Sequence, residues 1–451
     1  MNIHFIAIGG SAMHNLAIAL YDQGEAITGS DDEIFEPSKS RLAEKGLLPE
    51  KYGWYPEKIT NDIDAIILGM HAKKDNPELL KAQQLGLKIY SYPEFIFEKS
   101  KYKTRVVIAG SHGKTTITAM VLHVLNYHDK PTDFMVGAQL EGFSTMIKLT
   151  EENDFILLEG DEYLSSPIDP RPKFLWYEPN IALISGIAWD HINVFTTKEE
   201  YEAQFEYFTD NMTNGSTLVY NEEDEKVKNI AEKAKKPTRK HAYHTPKYKV
   251  IDEEVHLDTP EGLMPLKIFG EHNLSNLAGA KWICQHMGVD EDDFYEAIAE
   301  FKGADKRLQQ VVKTDKALVL KDYAHSPSKV QATTNAVKKQ FSKHKLLACL
   351  ELHTYSSLTK EFLVHYKKSL DQADEAVVVY DPKALEIKRL DPIDEKVIKE
   401  AFGRQDLKIF TEPKSFHNFL RSYHFDHHVL LLMSSGNYAD LDFDELKKWV
   451  E

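Results

Sequence analysis

The sequence predicts three consecutive α/β domains, each built on a largely parallel sheet. Short apolar runs alternate with helical patterns almost from end to end, as βαβ units require. At 451 residues the chain exceeds the roughly 250–300 residues that one core sustains. Two joints interrupt the alternation, Glu98-Lys99-Ser100-Lys101-Tyr102-Lys103 and Lys302-Gly303-Ala304-Asp305. They predict a Rossmann-like domain over 1–102, a central phosphate-loop domain over 103–303 and a second Rossmann-like domain over 304–451.

The elements follow in order. Strands are expected at 3–8, 26–28, 65–68 and 89–90, then at 105–109, 155–158, 181–185 and 217–220. A more irregular, antiparallel patch is expected at 248–269, followed by helices at 273–286 and 292–301. The alternation then restarts with strands at 317–321, 345–350, 375–380, 407–410 and 428–432. There is no short repeat and no low-complexity tract.

Composition narrows the function. The net charge of −16 disfavours a nucleic-acid partner, which needs a basic surface. No run approaches the roughly 20 apolar residues of a membrane span. The start, Met1-Asn2-Ile3-His4-Phe5, lacks the basic flank and cleavage site of a signal peptide, so a cytoplasmic location is expected. Cys284 and Cys349 stand far apart, which argues against a disulfide framework or a thiolate metal site. Any phosphate must therefore be held locally, by loop amides and single cations.

One segment does this. Val106-Val107-Ile108-Ala109-Gly110-Ser111-His112-Gly113-Lys114-Thr115-Thr116 reads as strand, glycine turn and helix start. Glycines let backbone N–H groups wrap phosphate oxygens, and the helix start aims further N–H groups at them. Lys114 would reach the β- and γ-phosphates of ATP, and the Thr115 hydroxyl would hold Mg²⁺. The full Walker pattern has glycine where this chain has Ile108. A weaker signal, Ile8-Gly9-Gly10-Ser11-Ala12-Met13 after the first strand, suggests a nucleotide-diphosphate cradle despite alanine at 7 and 12. Ser30-Asp31 closes the second strand, where ribose or base contacts collect.

The loop Gly-Ser-His-Gly-Lys-Thr-Thr resembles the shortened phosphate loop of the Mur ligases and of the related folylpolyglutamate synthetases, which lack the first Walker glycine. Five further motifs, in order, extend the resemblance along the whole chain. Glu159-Gly160-Asp161-Glu162-Tyr163 and Asp190-His191 resemble the central-domain metal motifs, so Glu159 and His191 would each serve a Mg²⁺. Gly270-Glu271-His272-Asn273-Leu274-Ser275-Asn276 resembles the element whose asparagines, here Asn273 and Asn276, approach adenine. Lys306-Arg307 matches a position where the family places an arginine, here Arg307, on the terminal phosphate. Asp322-Tyr323-Ala324-His325-Ser326-Pro327 resembles the opening of the third domain, with Asp322 on the ribose and His325 near the base.

The resemblance implies an ATP- and Mg²⁺-dependent ligase that activates a carboxylate as an acyl phosphate and couples it to an amine. The first-domain cradle, Gly9 to Met13 with Ser30 and Asp31, resembles that of members binding UDP-N-acetylmuramate; folate ligases lack this domain. The amine would lie on the third domain, near His353, Ser435 and Asn437, although the arginine common beside the histidine is absent here. Many members carry a carbamylated lysine about fifteen residues after the metal histidine. Glu206 stands there in this chain and is expected either to supply a carboxylate directly or to be an ordinary exposed glutamate. Ile34-Phe35-Glu36-Pro37-Ser38 and the 32-position interval from Glu159 to His191, with Tyr163 and Asp169-x-Arg171-x-Lys173-Phe174 inside it, resemble the recycling branch of the family. That branch attaches the tripeptide L-Ala-γ-D-Glu-meso-diaminopimelate. The tripeptide is the expected amine, with free L-alanine, the amine of de novo peptidoglycan synthesis, as the alternative. Small-molecule substrates and a monomer or homodimer are expected.

Overall fold

Each apolar run of the sequence becomes a strand, and most are buried on both faces between helices. The structure, a computed structural model, describes residues 1–140, 142–143, 145–189, 194–304, 308–314 and 316–450. The first sheet is parallel, with Ala26–Ser30, Asn2–Ile6, Ala65–Leu68 and Ile89–Ser91 side by side in that order. The expected first strand stops at Ile6, because Ala7 turns into the left-handed region with φ 67°. That conformation normally selects glycine.

The second sheet has seven strands. Their order is Arg239–Tyr243, Thr217–Asn221, Ile181–Ile184, Thr104–Ala109, Phe155–Gly160, Asp133–Met135 and Ile147–Lys148. Only the last pair is antiparallel. Thr104–Ala109 lies at the centre, and Val106 to Ala109 are fully buried. The charged stretch before it is no open joint: its first part completes the helix Tyr92–Ser100, which a Ser91–Glu94 capping box starts. The interval between Glu159 and residue 187 folds a small antiparallel hairpin, Leu164–Ser166 against Asp169–Pro172, unforeseen from the sequence.

The antiparallel patch is a three-stranded sheet of Tyr248–Ile251, Glu254–Thr259 and Gly262–Leu266. The last sheet has six strands in the order Gln309–Lys313, Ala317–Asp322, His428–Met433, Lys345–Glu351, Glu375–Val379 and Lys408–Phe410. All its pairs are parallel except the first. Successive residues on these strands feed opposite cores: Leu318, Leu320, Leu346 and Ala348 join one cluster, Ala317, Val319, Leu347 and Cys349 the other. That two-sided burial explains why the strands read as continuous apolar runs.

The chain packs as two compact units. One is Met1–Ile187 with Glu202–Tyr243 and Gly279–Glu291, and holds the first two sheets; the other is Ala188–Tyr201, His244–Ala278 and Asp292–Glu451, and holds the last two. Among the described residues no helix is long and apolar enough to cross a membrane.

Candidate active site

The phosphate loop leaves the carboxyl end of the central strand. Register places Ala109 level with Gly160 on one side and Ile184 on the other, so three parallel strand ends converge there. Gly110 takes φ 134° and Gly113 φ 80°, conformations that side chains resist. Ser111 N–H donates to the Gly186 carbonyl at 2.9 Å, and the Ser185 hydroxyl donates to the His112 carbonyl, which ties the loop to the neighbouring strand end. A side chain at Gly186 would occupy the His112 ring. The helix Lys114–Tyr127 starts with no side-chain cap and no acidic residue in its first turn, which leaves its first N–H groups for an anion.

Lys114 donates to Gly110 O and to Glu162 Oε2, each at 2.6 Å. Lys173 pairs with Asp161 Oδ2, also at 2.6 Å. Two lysines and the carboxylates of Glu159, Asp161 and Glu162 thus share one partly buried centre. Burial opposes the Lys114 charge, but Glu162 and Asp161 overcome it and hold the ammonium above the ordinary lysine value. Burial likewise opposes the Asp161 charge, yet Lys173 and Lys114 draw its carboxyl below the usual range. Tyr92, at the start of the helix Tyr92–Ser100, is half-buried beside this centre; shielding of its hydroxyl and then the charges of Asp161 and Glu159 push that hydroxyl well above its ordinary value.

The Thr115 hydroxyl donates to Glu159 Oε2 at 3.2 Å, so the two expected Mg²⁺ ligands meet. Gly137 faces that carboxylate, and a Cβ there would stand 2.9 Å from Oε2. A hydroxyl and a carboxylate side by side are the hard-oxygen donors that Mg²⁺ prefers. His191 and Arg307 lie outside the described residues, as do Asp190 and Lys306. Glu206 is exposed on the helix Lys198–Asp210 while its neighbour Phe205 is fully buried, so the structure directs its carboxylate to solvent.

In the first domain, the helix Ser11–Asp22 begins at Gly10 with neither a side-chain cap nor an acidic first turn, as the cradle requires. Ser30 and Asp31 brace the cradle from behind. Asp31 Oδ2 accepts Gly9 N–H at 2.7 Å, and the Ser30 carbonyl accepts Ala7 N–H and Ile8 N–H. Both residues are buried, because the glycine-poor turn needs these supports. A Cβ at Gly9 would strike Ile34 and the Asp31 carboxylate. Ala12 and Met13 continue the helix, and Met13 is buried in the core.

In the other unit, Asn273 and Asn276 lie in the first turns of Glu271–His286, with Asn273 donating to Phe269 O at 2.9 Å. Asp322 closes its strand, accepting Ala324 N–H at 2.8 Å and the Thr333 hydroxyl at 3.2 Å. His325 Nδ1 donates to the Tyr323 carbonyl at 2.8 Å, a bond that fixes its tautomer. His353 lies against Gly436, where a Cβ would come within 2.9 Å of its ring. The Ser435 hydroxyl is buried without a hydrogen-bond partner among the described residues, and Asn437 bonds Asp440. Glu351, not foreseen as a site residue, pins this turn by accepting the Ser434 hydroxyl, Tyr438 N–H and Ala439 N–H. Tyr438, Ala439 and Asp440 are all left-handed, a strained run that those bonds hold in place. Glu162 and Lys173 were also missed as site residues. Their only sequence signal was adjacency to Glu159 and Phe174 in the quoted motifs.

Comparison with known proteins agrees with this arrangement. The Mur ligase middle domain matches residues 108–284, and the Mur ligase family catalytic domain matches residues 2–103. UDP-N-acetylmuramate–L-alanine ligase of Sulfurihydrogenibium sp. (strain YO3AOP1) is 31% identical over 83% of this chain and 82% of its own length. Among solved structures, UDP-N-acetylmuramate-alanine ligase from Thermotoga maritima superposes with a TM-score of 0.70 at 20% identity, covering 100% of this chain and 98% of that one. A murein peptide ligase from Psychrobacter arcticus 273-4 superposes with a TM-score of 0.67 at 20% identity, with the same coverage. Continuous likeness at this identity, with two family domains matched in order along the chain, establishes that the chain belongs to the Mur ligase family of ATP-dependent, amide-bond-forming ligases.

Proposed function

We propose that this chain couples the carboxylate of UDP-N-acetylmuramate to the α-amine of an L-alanyl unit, with Mg²⁺ accompanying ATP. The observation that carries the reading is the meeting of Lys114, Thr115 and Glu159 at three adjacent strand ends, in the same compact unit as the Gly9–Met13 cradle. In this reading the boundaries near residues 102 and 303 separate the nucleotide-sugar, ATP and amine sites.

The cradle's free N–H groups hold the substrate diphosphate, and the phosphate loop holds ATP. Mg²⁺ at Thr115 and Glu159, with His191 serving a second ion, would neutralise phosphate charge. Lys114 exchanges Glu162 for the γ-phosphate oxygens, and Arg307 supplies a further cation from the third domain. A carboxylate oxygen attacks the γ-phosphorus, and the bond to ADP breaks. The amine nitrogen then attacks the acyl carbon, loses a proton, and phosphate leaves. The protein contributes position and charge neutralisation throughout. Asn273, Asn276, Asp322 and His325 orient the nucleoside; His353, Ser435 and Asn437 receive the amine substrate.

Free L-alanine is the amine that the curated relative's name supports. The tripeptide is the second reading, favoured by Ile34-Phe35-Glu36-Pro37-Ser38 and by the interval between Glu159 and His191. Phosphate release from ATP, measured with L-alanine, glycine, L-serine and L-alanyl-γ-D-glutamyl-meso-diaminopimelate, tests both. Release is expected only when UDP-N-acetylmuramate and an L-alanyl amine are both present. The larger kcat/KM names the physiological amine, and release that ignores the nucleotide sugar would refute the reading.

A further inference from the structure

The helix Ser38–Glu44 lies beside the cradle and carries Arg41, a half-buried guanidinium with an unusual set of partners. Its Nη2 donates to Gln139 Oε1 at 2.7 Å, and its Nη1 reaches Asn15 Oδ1 at 3.5 Å. Both partners are neutral. Three shielded lysines of this unit are matched by carboxylates, Lys114 by Glu162, Lys173 by Asp161 and Lys103 by Asp133, while the buried Arg105 is saturated by main-chain carbonyls. Arg41 has no carboxylate within ion-pair distance among the described residues, although the chain carries 71 acidic side chains.

Its neighbours are arranged to leave that charge alone. His14 Nδ1 donates to Gly10 O at 3.0 Å and its Nε2 accepts from Asn15 Nδ2 at 2.9 Å, which is the neutral tautomer. Ser38 holds the same ring at 3.0 Å. Asn15, one turn into the cradle helix, is fully engaged by Ser11 O and Met146 as well. On the far side, Gln139 is two residues from Gly137, which faces the Glu159 carboxylate. Arg41 therefore bonds both the cradle helix, through Asn15, and the segment that carries Gly137, through Gln139.

We infer that Arg41 is an anion seat for the nucleotide-sugar substrate, taking either its diphosphate or its lactyl carboxylate. The inference rests on the proposed function, which supplies a ligand with both groups. A guanidinium held by neutral acceptors keeps further N–H donors for a planar, bidentate oxyanion. Gln139 and Asn15 pre-orient it without neutralising it.

Calorimetric binding to the full chain, without ATP, separates the possibilities. Arg41→Gln removes the charge and keeps a polar amide in its place. It should weaken UDP-N-acetylmuramate by about tenfold or more, the usual scale of a charge-assisted contact, and flatten the dependence of affinity on salt. Arg41→Lys should recover part of the loss, and Gln139→Ala should bind within about threefold of the unaltered chain. UDP-N-acetylglucosamine, which lacks the lactyl carboxylate, assigns the group: equal losses on both ligands identify the diphosphate, a loss on the muramate alone the carboxylate. Unchanged affinity and salt slope in Arg41→Gln would overturn the inference while leaving the function intact. Failure of the unaltered chain to bind either nucleotide sugar would overturn the functional reading and this inference with it.

Discussion

Lys114→Ala and Lys114→Ala/Glu162→Gln should separate the two duties of the phosphate-loop lysine. The Glu162 side chain is 1% exposed and that of Lys114 16%, with 2.6 Å between charges. Removing one partner of so shielded a pair leaves a buried charge, at a cost of about 3–5 kcal/mol. The residual water at Lys114 and its second carboxylate neighbour, Asp161, point to the lower end, about 3 kcal/mol. Neutralising Glu162 as well removes the orphaned charge, and the coupling between touching residues, about 0.5–3 kcal/mol, should return as stability. Catalysis should not return. A donor lost from a transferring phosphoryl group costs about 2.7–4 kcal/mol of barrier, a factor of about 10²–10³ in kcat. Thermal denaturation midpoints rank the stabilities, and coupled phosphate release gives the rates. The expected pattern is a midpoint that falls in the single variant and recovers in the double one, with both variants nearly inactive. Near-normal turnover in either variant would refute the assignment of Lys114 to the γ-phosphate, and a double variant no more stable than the single one would refute the burial argument.

Two further outcomes follow from the same geometry. Burial, aided by the Arg41 charge and opposed by the Gly10 hydrogen bond, lowers the His14 pKa from 6.5. Its contribution to stability is therefore present above pH 6.5 and lost as pH falls through the lowered folded value. Denaturation midpoints from pH 7.5 to 5 should decline more steeply for the unaltered chain than for His14→Gln, and parallel curves would contradict this. Glu206→Gln should leave turnover and its Mg²⁺ dependence unchanged, because the side chain is exposed; a shifted Mg²⁺ requirement would restore Glu206 as a carboxylate ligand.

The fold class, nearly all central strands and the phosphate loop were legible in the sequence, since each rests on a local signal. Apolar runs such as Ala65–Leu68 and His428–Met433 reveal strands through hydrophobicity alone, and Gly110 to Thr116 declares a loop through glycine spacing. The short edge elements escaped: the Leu164–Ser166 hairpin and the edge strand Gln309–Lys313 are too brief or too polar to show a period. Ala7 looked like a defect in the cradle. Only the structure shows that its left-handed turn is braced by two hydrogen bonds to the Ser30 carbonyl. The nearness of Lys114, Thr115 and Glu159 could be read in advance because adjacent strand ends bring the motif centres together by topology. Their partners could not. Glu162 lies 48 positions from Lys114, and Gln139 lies 98 from Arg41. No local pattern encodes such a pairing, because which side chains meet depends on sheet register and on how a helix is rolled against its neighbour. Sequence by itself determined the fold class and the glycine turn between the strand Thr104–Ala109 and the helix Lys114–Tyr127. Tertiary packing decided which charges meet a carboxylate and which meet only neutral partners, since burial and counter-ions exist only once the chain has folded.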